Sequence, residues 1–309
     1  MNTDILGLHH VTAVTASAQA NHAFYAGALG LRFVKRTVNF DDPTAWHLYY
    51  GDETGSAGTV ATFFAWPDIR RGRVGAGQVA LTQFAAPRGA LGFWEARLPA
   101  HGATLLARET ALGETRLRFA DPDGLPLAIV EADDPRTPWT TPDVDAAVAL
   151  RGFRGVMLSL RDGAGVAAVL RDVFGYAPAG GEGGLARWRL GDAPSGVVDI
   201  ATDPAAAPGV EGAGTVHHVA FAVADRAAQE RVRARMQGAG LRVTPPIDRD
   251  YFWAIYARTP GGVLFEVATE EPGFTVDEPV ERLGAALRLP RRHEPHRAEI
   301  ERLLPPLAV

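Results

Sequence analysis

Apolar and polar residues along this chain alternate in short runs, and one order of elements recurs four times at a spacing of roughly 50 to 80 residues, the range in which repeats define an architecture. Each unit opens on an alternating or apolar run: His10-Val11-Thr12-Ala13-Val14, Val79-Ala80-Leu81-Thr82-Gln83-Phe84, Val156-Met157-Leu158-Ser159-Leu160 and His218-Val219-Ala220-Phe221-Ala222-Val223. Period-two runs of this length predict strands. A helical stretch follows each and ends on a small residue and a glycine, as at Gly27-Ala28-Leu29-Gly30, Ala100-His101-Gly102, Val173-Phe174-Gly175 and Gly238-Ala239-Gly240. Further strands complete each unit through tight turns such as Asp121-Pro122-Asp123-Gly124 and Thr259-Pro260-Gly261-Gly262. The predicted grammar is strand, helix and three strands, four times over.

A stretch rich in Pro, Thr and Asp from Asp133 to Asp145 separates the second unit from the third. The expected organisation is therefore a first pair of modules over residues 1–134, a linker over 135–151, a second pair over 152–275 and a tail over 276–309. From Glu281 the tail carries Arg291-Arg292-His293-Glu294 and Glu299-Ile300-Glu301-Arg302-Leu303-Leu304, which read as a peripheral helix with a solvated charged face. His293 and His296 are expected to be solvated there.

Composition narrows the partners. The 309 residues carry a formal charge of −5, with no dense basic stripe and no apolar run long enough to span a bilayer, so neither nucleic acid nor membrane is expected as a partner. The opening Met1-Asn2-Thr3-Asp4-Ile5 lacks a basic segment followed by an apolar core, which makes the cytoplasm the expected location. Cysteine is absent, so disulfides, thiolate catalysis and thiolate metal sites are excluded. Imidazole, carboxylate and water are the ligands left for a metal.

Two of the four opening strands carry histidine pairs, Leu8-His9-His10-Val11-Thr12 and Val216-His217-His218-Val219-Ala220, and the last strand of the fourth unit, Val263-Leu264-Phe265-Glu266-Val267, sets a carboxylate among apolar neighbours. Two imidazoles and one carboxylate are the ligand set of an open-faced ferrous site. Side chains alternate across a regular strand, so one histidine of each pair can be a ligand. His10 shares its face with Thr12, and His218 shares its face with Ala220 and Ala222, which leave room for a substrate; His9 shares its face with Val11 and Ala13, which looks like packing. A three-residue loop at Pro260-Gly261-Gly262 would set Tyr256 opposite Glu266, on one face of the sheet, whereas a four-residue loop would shift the pairing by one. Arg249 supplies a fixed positive charge suited to an anionic oxygen. His47, in Trp46-His47-Leu48-Tyr49-Tyr50, has two readings, lining the cleft or packing in the core or at the rim, of which packing is the one expected. Phe252, Trp253 and Phe64 are candidates for an apolar wall.

Taken together, these segments resemble the vicinal oxygen chelate superfamily, and within it most closely the hydroquinone ring-cleaving dioxygenases and their glyoxalase-family relatives. Arg32-Phe33-Val34-Lys35-Arg36-Thr37-Val38, Arg249-Asp250-Tyr251-Phe252 and the run from Tyr256 through Glu266 also carry the resemblance, which spans almost the whole chain. It implies an α+β fold of four βαβββ modules paired into two half-barrel domains. It places the metal ligands at His10, His218 and Glu266, and it implies substrate or supporting roles for Arg249, Tyr256, His217, His9 and Thr12.

The implied activity is Fe(II)-dependent ring cleavage of an aromatic diol, with a substituted hydroquinone and dioxygen as substrates and with Mn(II) as an alternative metal. The preference for a para-diol follows from resemblance alone. A glyoxalase-like isomerase or lyase would use zinc, nickel or manganese, but would call for a fourth ligand on the last strand of the first module. That strand reads Thr59-Val60-Ala61-Thr62-Phe63-Phe64-Ala65 and has no carboxylate. A metal-free protein that sequesters a small aromatic molecule is a third reading. Glu131 and Asp199 end the second and third units without histidines at their openings, so an empty second site is expected. The resemblance also implies homo-oligomerisation as an option, with the tail able to take part.

Overall fold

The computed structural model describes residues 4–309; Met1–Thr3, part of the opening segment read above, lie outside them. The first module comprises β1 (Ile5–Thr15), α1 (Ala18–His22) running on as a π-helical turn over Ala23–Ala28, β2 (Arg32–Val38), β3 (Trp46–Gly51) and β4 (Val60–Ala65). The second comprises β5 (Gln78–Ala86), α2 (Leu91–Ala100), β6 (Thr104–Ala111), β7 (Glu114–Ala120) and β8 (Pro126–Glu131). The third comprises β9 (Gly152–Leu160), α3 (Ala164–Ala168), β10 (Ala177–Glu182), β11 (Leu185–Arg189) and β12 (Val197–Thr202). The fourth comprises β13 (Thr215–Val223), α4 (Arg226–Gly238), β14 (Ile247–Asp248), β15 (Phe252–Arg258) and β16 (Leu264–Pro272). Local chemistry explains the punctuation. Ser17 and Asp225 cap α1 and α4 through their side chains, and Gly30, Gly102, Gly175 and Gly240 after the helices all take positive φ, which a Cβ would oppose.

Two curled eight-stranded sheets result, in the orders β14-β15-β16-β13-β1-β4-β3-β2 and β10-β11-β12-β9-β5-β8-β7-β6. The first and fourth modules therefore build one sheet, and the second and third build the other. This corrects the expected pairing of neighbouring modules within residues 1–134 and within 152–275. The opening strands pair antiparallel across the module boundary, β1 with β13 and β5 with β9, while each opening strand pairs parallel with the last strand of its own module. Pairing first with fourth brings the two ends of the chain, and with them both histidine pairs, onto one concave surface.

The tail carries a short helix, α5 (Arg297–Leu303), with Glu299, Glu301 and Arg302 exposed and Ile300 buried, while Leu283, Leu289 and Leu304 are buried as well. Pro305 accepts from the indole of Trp46 at 2.9 Å, and Leu287 bridges Arg36 on the outer edge of β2. The tail is held on the first module by apolar burial that its charged sequence masks. No helix among the described residues is long and apolar enough to cross a membrane.

Candidate metal centre

β1 and β13 meet with Thr12 opposite His218 and His10 opposite Ala220, so the two second histidines are diagonal neighbours on one face. β16 runs parallel to β13 with Glu266 beside Ala220. The three side chains converge: His218 Nε2 lies 3.0 Å and His10 Nε2 3.4 Å from Glu266 Oε2, and the two imidazole nitrogens are 3.3 Å apart. Three donors each about 2.0–2.2 Å from one ion at right angles stand roughly 3 Å apart, so this triangle has the size of a facial ligand set. Among the described residues it is the one group of histidines and acids placed to hold a metal.

The electrostatics fit a cation. Glu266 is fully buried, and neither carboxylate oxygen accepts a hydrogen bond, although Oε2 faces both imidazoles. A buried carboxylate without donors is costly unless a positive charge meets it. Burial alone would raise the Glu266 carboxyl, but the neighbouring His10 and His218 override this and hold it well below the usual range. Burial pushes His218 down, against the pull of Glu266. An ionised carboxylate beside a neutral imidazole is the state a divalent metal binds.

The first histidine of each pair departs from simple alternation. The β1–β13 register skips at His9 and again at His217, so both are bulge residues, a device common beside active sites. Each stays next to its neighbour: His9 Nδ1 is 2.9 Å from His10 Nδ1, and His217 Nδ1 is 2.7 Å from His218 Nδ1. With Nε2 of each second histidine turned to the triangle, its Nδ1–H donates to the first histidine, which fixes ring and tautomer. Burial, helped by the adjacent imidazole, lowers His9 to about 3 and His217 to about 4. His217 lines the cavity over the triangle, whereas His9 faces a second cavity behind it with Tyr251 and Glu270.

The cavity has a volume of about 340 Å³, at the small end for ligand sites and sized for a single ring with modest substituents. Phe252, Phe64, Leu264 and Trp66 form its apolar walls. Trp253 does not contribute; it faces the other side of β15 under the guanidinium of Arg226, 3.9 Å from the ring centre. Tyr256 stands opposite Glu266, as a three-residue loop demands, and Thr259 closes that hairpin onto Val263. Arg249 Nε donates to the Tyr256 hydroxyl oxygen at 3.3 Å, which leaves the Tyr256 proton free to donate into the cavity. Burial and the facing Glu266 raise the Tyr256 phenol above its ordinary value, so it stays protonated. Thr12 is fully buried and does not line the cavity; its hydroxyl lies 3.5 Å from that of Thr62.

His47 corrects the expectation of packing, because it lines the cavity together with Tyr49. Tyr49 is hydrogen-bonded to its Nδ1 at 2.9 Å and Thr62 to its Nε2. Period two on β3 was the signal that could have placed both. Asn39, Phe40 and Asp41 on the β2–β3 loop also line the mouth, and no periodicity announces them.

Register identifies what occupies the fourth-ligand position. Glu266 pairs with the residue two after His218, and the counterpart on β4, paired with the residue two after His10, is Thr62. A fully buried hydroxyl, tied to His47, stands where a glyoxalase-type site would need a carboxylate. The second sheet repeats the same geometry without the ligands. Leu81, Gly155 and Asp199 take the positions of His10, His218 and Glu266, and a Cβ on Gly155 would lie 2.2 Å from the Val197 carbonyl oxygen. Asp199 is neutralised by Arg187, at 2.7 and 2.9 Å.

The whole chain can then be set beside known proteins. It matches the profile of the Glyoxalase/Bleomycin resistance protein/Dioxygenase superfamily over residues 7–129 and 156–267. It is 43% identical over 305 residues to the Bacillus subtilis (strain 168) protein named "Putative ring-cleaving dioxygenase MhqO", covering 98% of this chain and 97% of that one. It is 35% identical over 310 residues to the "Chlorohydroquinone/hydroquinone 1,2-dioxygenase" of Sphingobium indicum, covering 96% and 95%. The crystal structure of a "putative dioxygenase" from Bacillus subtilis subsp. subtilis str. 168 superposes with a TM-score of 0.96 at 42% identity, over 100% of this chain and 99% of that one. On its profile, its paired-module fold and its relatives along nearly the full length, this chain belongs to the Glyoxalase/Bleomycin resistance protein/Dioxygenase superfamily.

Proposed function

We propose that this protein is an Fe(II)-dependent ring-cleaving dioxygenase whose substrate is an aromatic diol of the substituted hydroquinone class. The observation that carries the reading is the three-donor triangle His10–His218–Glu266 under a small apolar cavity, with Thr62 in the fourth-ligand position. Three protein ligands leave positions for both a diol oxygen and dioxygen; four would favour a closed isomerase site. A sequestering protein without metal would have no use for a buried carboxylate lacking donors. The relatives named as ring-cleaving and hydroquinone dioxygenases support the same reading.

Held by these residues, Fe(II) would supply the electron density that lets triplet dioxygen react with a closed-shell ring. The chain's own groups do the rest. Arg249, fixed by Tyr256 and Asp41, offers positive charge to the ring oxygen as it loses its proton, and Tyr256 donates a hydrogen bond to the same region. His217, neutral and with its Nδ1 accepting from His218, presents its Nε2–H at the cavity wall and donates a hydrogen bond to a bound oxygen, while the diol proton passes to solvent. Phe252 and Phe64 clamp the ring faces and exclude water. Both oxygen atoms enter the product as one ring carbon–carbon bond breaks. His9 and Thr12 support the ligands from behind and below and touch no substrate.

The test is oxygen consumption after anaerobic Fe(II) reconstitution, with methylhydroquinone, chlorohydroquinone and catechol offered in parallel and autoxidation subtracted. Iron-dependent uptake with a hydroquinone is expected, and His218→Ala should abolish it. No uptake from protein holding one iron per chain would remove the reading.

A further inference from the structure

One carboxylate at the cavity mouth does more than hold Arg249 in place for the chemistry just described. Asp41, on the β2–β3 loop, takes Arg249 Nη1 on one oxygen at 3.1 Å and Arg292 Nη2 on the other at 3.2 Å. The tail grips the loop that carries it: Arg292 and His293 both donate to the Phe40 carbonyl oxygen, His293 at 2.9 Å, and the Arg291 backbone N–H donates to Asp250, next to Arg249, at 3.2 Å. Asp41 is thus held at the mouth although 68% of its side chain is exposed.

Charge decides what such a cavity accepts. Arg249 is the lining cation, Asp41 and Glu266 are the lining anions, and an imidazole that binds a metal does so uncharged. With a divalent ion on the triangle, this set carries one positive charge, which a singly deprotonated diol cancels. A carboxylate on the ring would bring a further negative charge with no cation free to meet it, since Asp41 already engages both Arg249 and Arg292. Like charges juxtaposed in a partly closed site are a means of rejecting a ligand. We infer that Asp41 is a specificity-determining residue that favours diols with uncharged ring substituents and rejects ring carboxylates. The inference rests on the aromatic-diol reading above.

Equilibrium binding separates the two. Manganese(II)-loaded wild type, Asp41→Asn and Asp41→Glu, kept anaerobic so that nothing turns over, are titrated with methylhydroquinone and with 2,5-dihydroxybenzoate, which carries a carboxylate in place of the methyl group. The wild type is expected to bind methylhydroquinone at least about tenfold more tightly than the carboxylate. Asp41→Asn should close that gap about tenfold by gaining affinity for the carboxylate, and Asp41→Glu should restore it. An equal shift for both ligands, or none for either, overturns the role of Asp41 while leaving the diol reading intact. Failure of every protein to bind either diol would sink the diol reading and this inference together.

Discussion

At the residue scale, the site works by keeping imidazoles neutral. Burial holds His9, His47, His217 and His218 below their ordinary value, His217 at about 4 and His9 at about 3. Below about pH 6.5 the unfolded chain takes up protons that the folded chain refuses, so stability falls as pH falls, by about 1.4 kcal/mol per unit for each imidazole well inside the window. Glu266, held low, adds to the loss only below about pH 4.3. The metal-free protein should therefore show a urea midpoint that drops steeply from pH 7 to 5, and His217→Gln should flatten that slope by about one proton. A midpoint independent of pH over that range would contradict the buried neutral histidines. Much of this scale was legible: small neighbours on one face pointed to His10 and His218. The bulges at His9 and His217 were not, because a one-residue offset is set by the partner strand.

Elements decide how many ligands there are. The hairpin register that sets Tyr256 against Glu266 followed from the three residues of its loop, since loop length fixes pairing locally. The fourth-ligand position needed the parallel β1–β4 register, which places Thr62 where β16 carries Glu266. Thr62→Glu should raise Zn(II) affinity at least about tenfold, measured by competition with a chromophoric chelator, and should suppress oxygen uptake by filling an open position. Unchanged affinity together with full uptake would show that position 62 does not face the metal. His47, read as packing, lines the cavity because β3 turns its odd-numbered residues His47 and Tyr49 inward; either face of that aromatic strand could have been the inner one.

At the scale of the whole molecule, the tail packs on the first-module half of the sheet that carries the candidate metal triangle. Lys35 on β2 is fully buried and donates to the Phe274 carbonyl oxygen at 3.0 Å, to Asp277 at 2.6 Å and to Glu278 at 2.5 Å. Glu278 is buried too, and its other cation, Arg288, stands farther off at 3.5 Å, so Lys35→Met would leave a buried carboxylate without its hydrogen-bonded partner and cost about 3 kcal/mol in urea denaturation. Lys35→Met with Glu278→Leu should recover most of that loss. If the double variant is as unstable as the single, the pair does not act as a unit. This latch and the grip of Arg292 on the mouth loop were both invisible in a tail that reads as solvated charge, because their partners lie more than 200 residues away in sequence.

The sequence by itself determined the grammar of four repeated modules, the strands that carry the candidate ligands and the restriction of any metal donor to imidazole and carboxylate. These are set by local periodicity, turn composition and residue type, each legible within about ten residues. Only the tertiary structure decided that the first module joins the fourth, that Thr62 occupies the fourth-ligand position, and that His47, Asp41 and the tail belong to the cavity. Strand edges offer the same backbone donors and acceptors to any partner. Which edges meet is therefore settled by the burial of both faces at once, a property of the assembled fold rather than of any one segment.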